Sequence, residues 1–362
     1  MMLCGYNGPA KKRRDLDMQR MEKYASVVPG LLIAVAVAAA ARFLEGLLPI
    51  HLIGASVIAL FIGMGINALR KPSALVAGGL KFTSKRVLKL AIILLGASLS
   101  MRDILTVGRL SLMVMCFTLL TCFGGGYLVG RSLGLNWKLS NLISAGTGIC
   151  GGSAIAAIAP VIDAQDRDIA YAMSATFLFD MVMILMFPFL GHWLGMSDMA
   201  YGLWAGTAVN DTSSVVAAGY AFSEAAGDFA TMVKLTRTLS IIPTVLIFSV
   251  INVREKCRMN VAVEGERVNV LTLFPWFILG FLGLALFNSV GLIPAAASAF
   301  LKDLSKFLMV AALAAIGLNT DFKSLCRSGA KPMLHGFIIS LLVVLVAIAV
   351  EFAIGIAPHG VL

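Results

Sequence analysis

Eleven apolar stretches, each near the length of a bilayer crossing, occupy most of this 362-residue chain. A helix needs about 20 residues to cross the hydrocarbon core, and only 13% of the residues are charged, against about 25% in soluble domains. Backbone polar groups inside lipid must be satisfied within each helix. We therefore predict an all-α polytopic membrane protein with about 11 transmembrane helices. These helices form a transmembrane domain at 27–362, and a basic cytoplasmic tail at 1–26 precedes it. The stretches run at about 27–48, 51–69, 87–99, 110–130, 139–162, 169–194, 199–222, 229–251, 271–292, 304–318 and 333–356.

Basic residues fix an orientation for these stretches. With the N-terminus inside, 20 of the 29 Lys and Arg lie in cytoplasmic segments and six in outer ones, which is the usual bias of membrane proteins. The net charge of +10 then reflects topology and contact with membrane lipid, not nucleic acid binding. We expect a multi-pass protein of the bacterial inner membrane with its C-terminus outside. The six outer residues are Arg42, Arg102, Arg109, Arg167, Lys302 and Lys306.

A phrase of small residues occurs twice, as AGTGICGGSAIAAIA at 145–159 and AGTAVNDTSSVVAAG at 205–219. Non-helical backbone at membrane depth persists only where it is buried in protein or lines a watery cavity, and paired interrupted helices point to a transporter's binding site. We predict that both phrases are discontinuous and meet near the membrane centre. In the crossing order above they run parallel, so either one segment does not fully cross or the likeness reflects a shared task.

The phrases supply the candidate binding residues. Glycines that unwind a helix leave backbone N–H groups free for a negative ligand, and nearby hydroxyls add donors. The alternative is close helix packing through small faces, which is less suited to the polar second phrase. The match of 146–151 to GxGxxG lacks the strand and βαβ unit of a dinucleotide site. The predicted substrate- or ion-binding residues are Thr147, Gly148, Cys150, Gly151, Gly152, Ser153, Asn210, Asp211, Thr212, Ser213 and Ser214.

Four charged residues fall at membrane depth, where ionisable groups are costly and usually functional. Asp180 lies in the sixth stretch, Asp211 in the second phrase, and Lys234 and Arg237 three residues apart in the eighth. We predict that they bind an anion or relay protons; the alternative is a structural salt-bridge network. Either way, we expect Lys234 or Arg237 within salt-bridge range of Asp180 or Asp211, because an unpaired buried charge is far costlier than a paired one.

A weaker internal similarity relates 86–105 to 306–325. The two segments lie seven stretches apart, so they would run antiparallel, as inverted repeats require. We predict that 86–131 and 306–356 superpose as inverted repeats.

Several classes of site are absent from the sequence. The six cysteines have no CxxC spacing, and their positions favour reduced thiols. The four histidines lie at stretch ends or in the C-terminal tail, which favours interfacial positions over metal binding. There is no P-loop. We therefore expect no catalytic residue, no metal and no cofactor.

The phrases GTGICGGSAIAAIAPVI and AGTAVNDTSSVVAAGYAF, followed by KLTRTLSIIP, resemble the YeiH family of bacterial membrane proteins, often labelled sulfate exporters. The resemblance covers about 29–362. It implies kinship with cation/proton antiporters and bile-acid-type symporters, whose discontinuous helices cross near the membrane centre. The segment 150–153 is similar to the glycine-rich break of the bile-acid type, but it lacks the proline and asparagine usual there, which argues against a sodium site.

The residues and the resemblance together predict a secondary active transporter that exports a small anion, of the sulfate or organic sulfonate type, with proton or ion coupling. A small inorganic or organic anion is the expected partner, with protons or sodium as the coupling ion; a homodimer stays open. One alternative is a cation/proton antiporter with Asp180 or Asp211 as carrier and Lys234 as internal competitor. A minor alternative is an intramembrane hydrolase using Ser153, for which the sequence offers no membrane-depth histidine as base.

Overall fold

In the computed structural model, which describes residues 9–47, 54–258, 275–320, 329–357 and 360–361, the chain is almost entirely helical. Short π turns at Thr83–Val87, Thr121–Gly125 and Gly146–Cys150 and a 3₁₀ turn at Gly96–Ser98 interrupt the helices, and strand β1, Ile356–Ala357, pairs antiparallel with β2, Gly360–Val361. The helices are α1 Pro9–Leu47, α2 Ala55–Leu69, α3 Ala74–Phe82, α4 Leu88–Leu95, α5 Met101–Leu120, α6 Gly126–Ser132, α7 Trp137–Ala145, α8 Gly152–Ile158, α9 Asp166–Trp193, α10 Asp198–Ala208, α11 Thr212–Phe222, α12 Glu224–Thr238, α13 Ile241–Arg258, α14 Trp276–Ser289, α15 Ala295–Asn319 and α16 Ala330–Ala353.

Each of the eleven apolar stretches contains helix, which confirms the all-α polytopic membrane fold. Within the described residues, five helical runs are long and apolar enough to cross a membrane: Val27–Leu47, Met101–Ser132, Asp166–Trp193, Glu224–Arg254 and Ala330–Ala353. Four predicted starts differ by nine residues or more. The first stretch is helical from Pro9, the third from Ala74, the fourth from Met101 and the tenth from Ala295, so each helix begins well before its apolar stretch.

Helices α1–α4, α14 and α15 form one packed group, called the scaffold unit below. Helix α15 packs against α1, α2 and α4, and α14 packs against α4. Glycines allow the closest approaches: a Cβ on Gly63 of α2 would lie 2.6 Å from the Ala314 carbonyl of α15, and Gly317 lies equally tightly against Leu60. Small residues at helix crossings are the usual solution where lipid gives no hydrophobic drive for association.

Helices α5–α13 and α16 form a second group, the core unit. Helix α9 packs against α7, α8, α11 and α16, and α12 packs against α5, α10 and α11. The two units meet where α2 contacts α11, where α14 contacts α5 and where α15 approaches α11 and α12.

The first small-residue phrase belongs to a helical hairpin, not to a crossing. In this first hairpin, residues 137–158, α7 and α8 lie side by side, with Gly146 against the Ile155 side chain. The hairpin begins and ends on the same side of the molecule, since the Lys138 ammonium donates to the Asp163 carbonyl at 2.8 Å. We call the end of the molecule that carries this base the basic end.

The second phrase forms a hairpin of the same kind, residues 198–222. The Tyr201 hydroxyl, near the start of α10, donates to the Ala218 carbonyl at 2.9 Å, and its ring stacks on Phe222 at the end of α11. Ser223 donates to the Asp198 carboxylate at 2.5 Å. The chain therefore enters and leaves this second hairpin on one side as well.

The two hairpins point toward each other from opposite ends of α9. The first lies against the early part of that helix, with Gly146 beside Thr176, and the second against its late part, with Gly191 beside Tyr201. Their tips meet near Asp180, the middle of this 28-residue helix. The two hairpins are thus antiparallel, whereas the sequence predicted that the two phrases run parallel. Of the two explanations that the sequence left open, incomplete crossing is the correct one, and neither phrase crosses fully. Superposition of 86–131 on 306–356 stays a prediction, since 321–328 lies outside the described residues.

Candidate functional site

The hairpin tips are in direct contact. Gly151, between the π turn and α8, has φ +65° and ψ −135°, a conformation that L side chains rarely adopt. A Cβ there would lie 2.8 Å from the Asp211 Oδ1 and 2.9 Å from its Cβ. Glycine at this position allows both the turn and the close approach, which confirms the predicted meeting of the two discontinuous phrases.

Lys234 of α12 joins the two tips. Its fully buried ammonium donates to the backbone oxygens of Ile149, Val209 and Asn210, the first two at 2.9 Å. An ammonium has three donors, so all of them are engaged. One oxygen comes from the first hairpin and two come from the second.

Arg237, one turn further along α12, makes a parallel set of contacts. Its guanidinium donates to Gly148 O at 2.6 Å and Thr147 O at 2.5 Å in the first hairpin, and to Thr207 O and Val209 O in the second. Its exposed fraction is 1%. The two cations therefore satisfy carbonyls that α7 and α10 release at their C-terminal ends, where the helix dipole favours positive charge.

The two carboxylates hold the second tip. Asp180 Oδ1 accepts the backbone N–H groups of Asn210 and Asp211, both at 3.2 Å. Asp211 caps α11, accepting Ser213 N at 3.0 Å and Ser213 Oγ at 2.5 Å. Each acid thus stabilises the unwound chain before α11.

The predicted ion pair does not form. Within the described part of the chain, the ion pairs given by the structure join Lys302 and Lys306 to Glu224 and Asp228, not Lys234 or Arg237 to an acid. Carbonyl oxygens freed by the broken helices replace the expected carboxylate partners. A buried cation needs acceptors, and the fold supplies them from backbone.

Two buried polar side chains at the tips have no hydrogen-bond partner. They are the Thr147 hydroxyl and the Asn210 amide, with both its nitrogen and its oxygen unpartnered, and both residues are completely buried. The Thr176 hydroxyl beside Gly146 is unpartnered too. Buried polar groups are normally bonded, so these atoms mark the place where a ligand or water is expected.

The remaining predicted residues surround this contact unequally. Cys150, Ser213 and Ser214 are buried, Gly152 and Thr212 are partly exposed, and Ser153 is exposed on α8. Cys150 is a free thiol. The first turns of α8 and α11 therefore form the accessible side of the site, and helix N-termini favour negative charge. No group of three His, Cys, Asp or Glu able to hold a metal occurs among the described residues.

His335 is a buried residue that sequence reasoning assigned to an interface. Its Nε2 lies 3.1 Å from Ser140 Oγ and 3.0 Å from Gly126 O, and its exposed fraction is 0%. The signal in the sequence was the spacing of Gly126 and Gly130, which lie about one helical turn apart. A Cβ at Gly126 would collide with Ser144 and a Cβ at Gly130 with Ser140, so this glycine pair makes room for a polar contact between α6, α7 and α16. His51 and His359 lie outside the described residues.

Comparison with known proteins gives consistent matches along most of the chain. A family model described as conserved hypothetical protein 698 matches residues 29–336. A UPF0324 membrane protein of Clostridium tetani is 56% identical over 334 residues, covering 90% of this chain and 97% of the relative. Similar proteins of the same description occur in Fusobacterium nucleatum (40% identical over 325 residues, covering 84% and 92%) and in Streptococcus pneumoniae serotype 4 (38% over 334 residues, covering 90% and 97%).

Proposed function

The chain belongs to the conserved hypothetical protein 698 family of membrane proteins, which is the YeiH family under another name. From that premise we propose that the protein is a secondary active transporter for a small anion. The observation that carries the proposal is the meeting of two oppositely directed hairpins around Lys234 and Arg237. Broken helices whose ends converge at membrane depth are the usual setting of a transporter's substrate site.

Anion transport is favoured by the charges at this junction. Lys234 and Arg237 bring two positive charges to the tips, and the N-terminal ends of α8 and α11 begin beside them. Asp180 is already engaged with two backbone N–H groups. Sulfate and organic sulfonates present several acceptor oxygens, which suit the unpartnered Thr147 hydroxyl and the Asn210 amide nitrogen.

Alternating access follows from the two packed groups. The core unit carries both tips, whereas the scaffold unit contacts the core unit mainly through α2, α14 and α15. Movement of the core unit against the scaffold unit would open the tips first to one end and then to the other. With the basic end inside, this transporter would work in the bacterial inner membrane and export its substrate.

The other two functions draw less support from the geometry. Cation/proton antiport needs a carboxylate that releases and rebinds ions, and partly exposed Asp211 is the better placed of the two acids. Hydrolysis at Ser153 needs a base, but within the described residues the serine–histidine contact joins Ser140 to His335.

The direct test uses the purified protein in liposomes, with uptake of radiolabelled sulfate and radiolabelled isethionate measured against an internal store of the same anion. Replacing Lys234→Gln or Arg237→Gln removes charge-assisted bonds worth about 1.5–3 kcal/mol each. We therefore expect uptake to fall about tenfold or more, since 1.4 kcal/mol is a factor of ten. Arg109→Gln, on the exposed face of α5, is the matched control and should leave uptake unchanged.

Two results would contradict the proposal. One is that neither anion moves while an added sodium or potassium gradient drives proton movement, which would favour the antiporter. The other is that both Gln variants fold and carry anions at the parent rate, which would place the site elsewhere.

A further inference from the structure

Glu351 is a buried acid that the hairpin site does not use. It lies near the end of α16, with an exposed fraction of 1%, and neither of its carboxylate oxygens has a hydrogen-bond partner. On the same face, Ala347 one turn earlier and Val343 two turns earlier belong to the hydrophobic core, as does Ile356 of β1, which packs against α16. The carboxyl group is thus enclosed by apolar side chains.

An ionised carboxylate in such a place would lack any compensating charge or donor. Removing an unpaired carboxylate from water costs many kcal/mol, and buried groups usually become neutral instead. The titratable groups on the elements packed against this part of α16 do not pair with it. His192 stacks on Phe222, Asp198 bonds to Ser223, Asp103 bonds to Ser100, and Arg102 and Arg109 are exposed.

We propose that Glu351 is a proton-binding site, loaded from water at the end of the molecule opposite the basic end. It lies two residues before the end of α16, so about 3 Å of helix separates it from that end at 1.5 Å per residue. The proton comes from the water there, forms the O–H bond of the neutral acid and returns to the same water when the site opens.

The position of α16 connects this site to the second hairpin. The Trp204 indole of α10 donates to the Val344 carbonyl of α16 at 3.0 Å, and the same ring packs on Phe187 of α9. Displacement of the second hairpin relative to α16 would therefore disturb the packing that encloses Glu351. Resting on the proposed transport function, this makes Glu351 the residue that couples proton binding to displacement of the second hairpin within the core unit.

The other unpartnered polar residues of α16 are too far from Glu351 to pass it a proton directly. Ser340 and His335 also carry unpartnered polar atoms, but Ser340 lies eleven residues from Glu351, which is about 16 Å along a helix. Protons move between groups in hydrogen-bond reach, so Glu351 exchanges with the nearer water.

Infrared spectroscopy of the purified protein tests the site without any substrate. At neutral pH we expect a protonated-carboxyl stretching band that shifts in D₂O, is lost in Glu351→Gln and persists in Asp303→Asn, the control at an exposed carboxylate of α15. Glutamine has nearly the same shape as the neutral acid, and thermal unfolding checks that the variant is folded. Identical bands in the parent and Glu351→Gln would overturn the proposal, as would a parent without the band.

Liposomes with a trapped pH dye and a sulfate gradient test the coupling. We expect proton movement in Glu351→Gln to fall to the level of protein-free liposomes, whereas Asp303→Asn behaves as the parent. Parent-level proton movement in Glu351→Gln would refute the coupling. Absence of sulfate flux in the parent would instead refute the proposed function, and the infrared result would still decide the proton site.

Discussion

At the scale of single residues, Gly151 is constrained both by its own backbone conformation and by its neighbour Asp211. Its backbone lies in a region that costs other residues about 1–3 kcal/mol, and a Cβ would stand 2.8 Å from the Asp211 carboxylate. We expect Gly151→Ala to separate the tips, to lower the thermal unfolding temperature and to abolish sulfate uptake. Thermal unfolding in detergent and the liposome assay measure the two effects.

Gly124 provides the matched control for this substitution. It lies in the π turn Thr121–Gly125, and a Cβ there meets nothing within 4 Å. Gly124→Ala should behave as the parent. If Gly151→Ala were as stable and active as Gly124→Ala, the contact between the tips would have no functional importance.

The sequence predicted where the buried charged residues lie, but it did not predict their hydrogen-bond partners. The depth of Lys234 and Arg237 in an apolar stretch marked them as candidate site residues, and the structure places both side chains at the hairpin tips. Their carbonyl partners were not predictable, because those oxygens are free only where α7 and α10 end. A linear sequence shows side chains, but it does not show which backbone groups a broken helix leaves unsatisfied. For the same reason Asp180 was expected to face a cation, whereas it accepts two backbone N–H groups.

At the scale of elements, the hairpins make a prediction about sidedness. In a variant without native cysteines, single cysteines at Gln165 and Met199 should react with a membrane-impermeant reagent from the inside and the outside, respectively. The base of the first hairpin lies with Lys138 and Asp163 at the basic end, and Met199 belongs to the base of the second. Labelling of intact cells and of inverted vesicles measures this.

Cysteines at Ser132 and Ala225 are the controls, since they lie inside and outside, respectively, whether the hairpins turn back or cross. Both positions are exposed. Labelling of position 165 from the outside and of position 199 from the inside would restore two full crossings and contradict the hairpins.

The elements themselves were largely predictable, because all eleven apolar stretches contain helix. The turning back of the chain within the two hairpins was not predictable from stretch length. The second hairpin, for example, places two 11-residue helices within a stretch as long as one crossing. The basic-residue bias did not distinguish the alternatives. The two loops whose side changes on turning back, 163–168 and 195–198, hold one basic residue between them, Arg167, and acidic residues contribute little to that bias.

At the scale of the whole molecule, an ion-pair cluster joins the two units at the end opposite the basic end. Lys302 of α15 lies 2.8 Å from Glu224 and 3.0 Å from Asp228 of α12, and Lys306 lies 2.5 Å from Glu224. Tyr220 of the second hairpin donates to Asp228 at 2.5 Å. Glu224 is exposed and the two lysines are partly exposed. Ion pairs in contact with solvent contribute little stability singly, so this cluster suits a contact that closes in one state and opens in another.

Reversible cross-linking of this contact tests alternating access, the central claim, most directly. In a variant without other cysteines, Glu224→Cys and Lys306→Cys place one thiol on each unit, and Asp198→Cys with Ser223→Cys places both within the core unit as the control. Sulfate exchange in liposomes should stop when the first pair is oxidised, return on reduction, and continue in the oxidised control. Exchange at the parent rate with the first pair fully cross-linked would show that the two units do not move against each other, and would contradict the account.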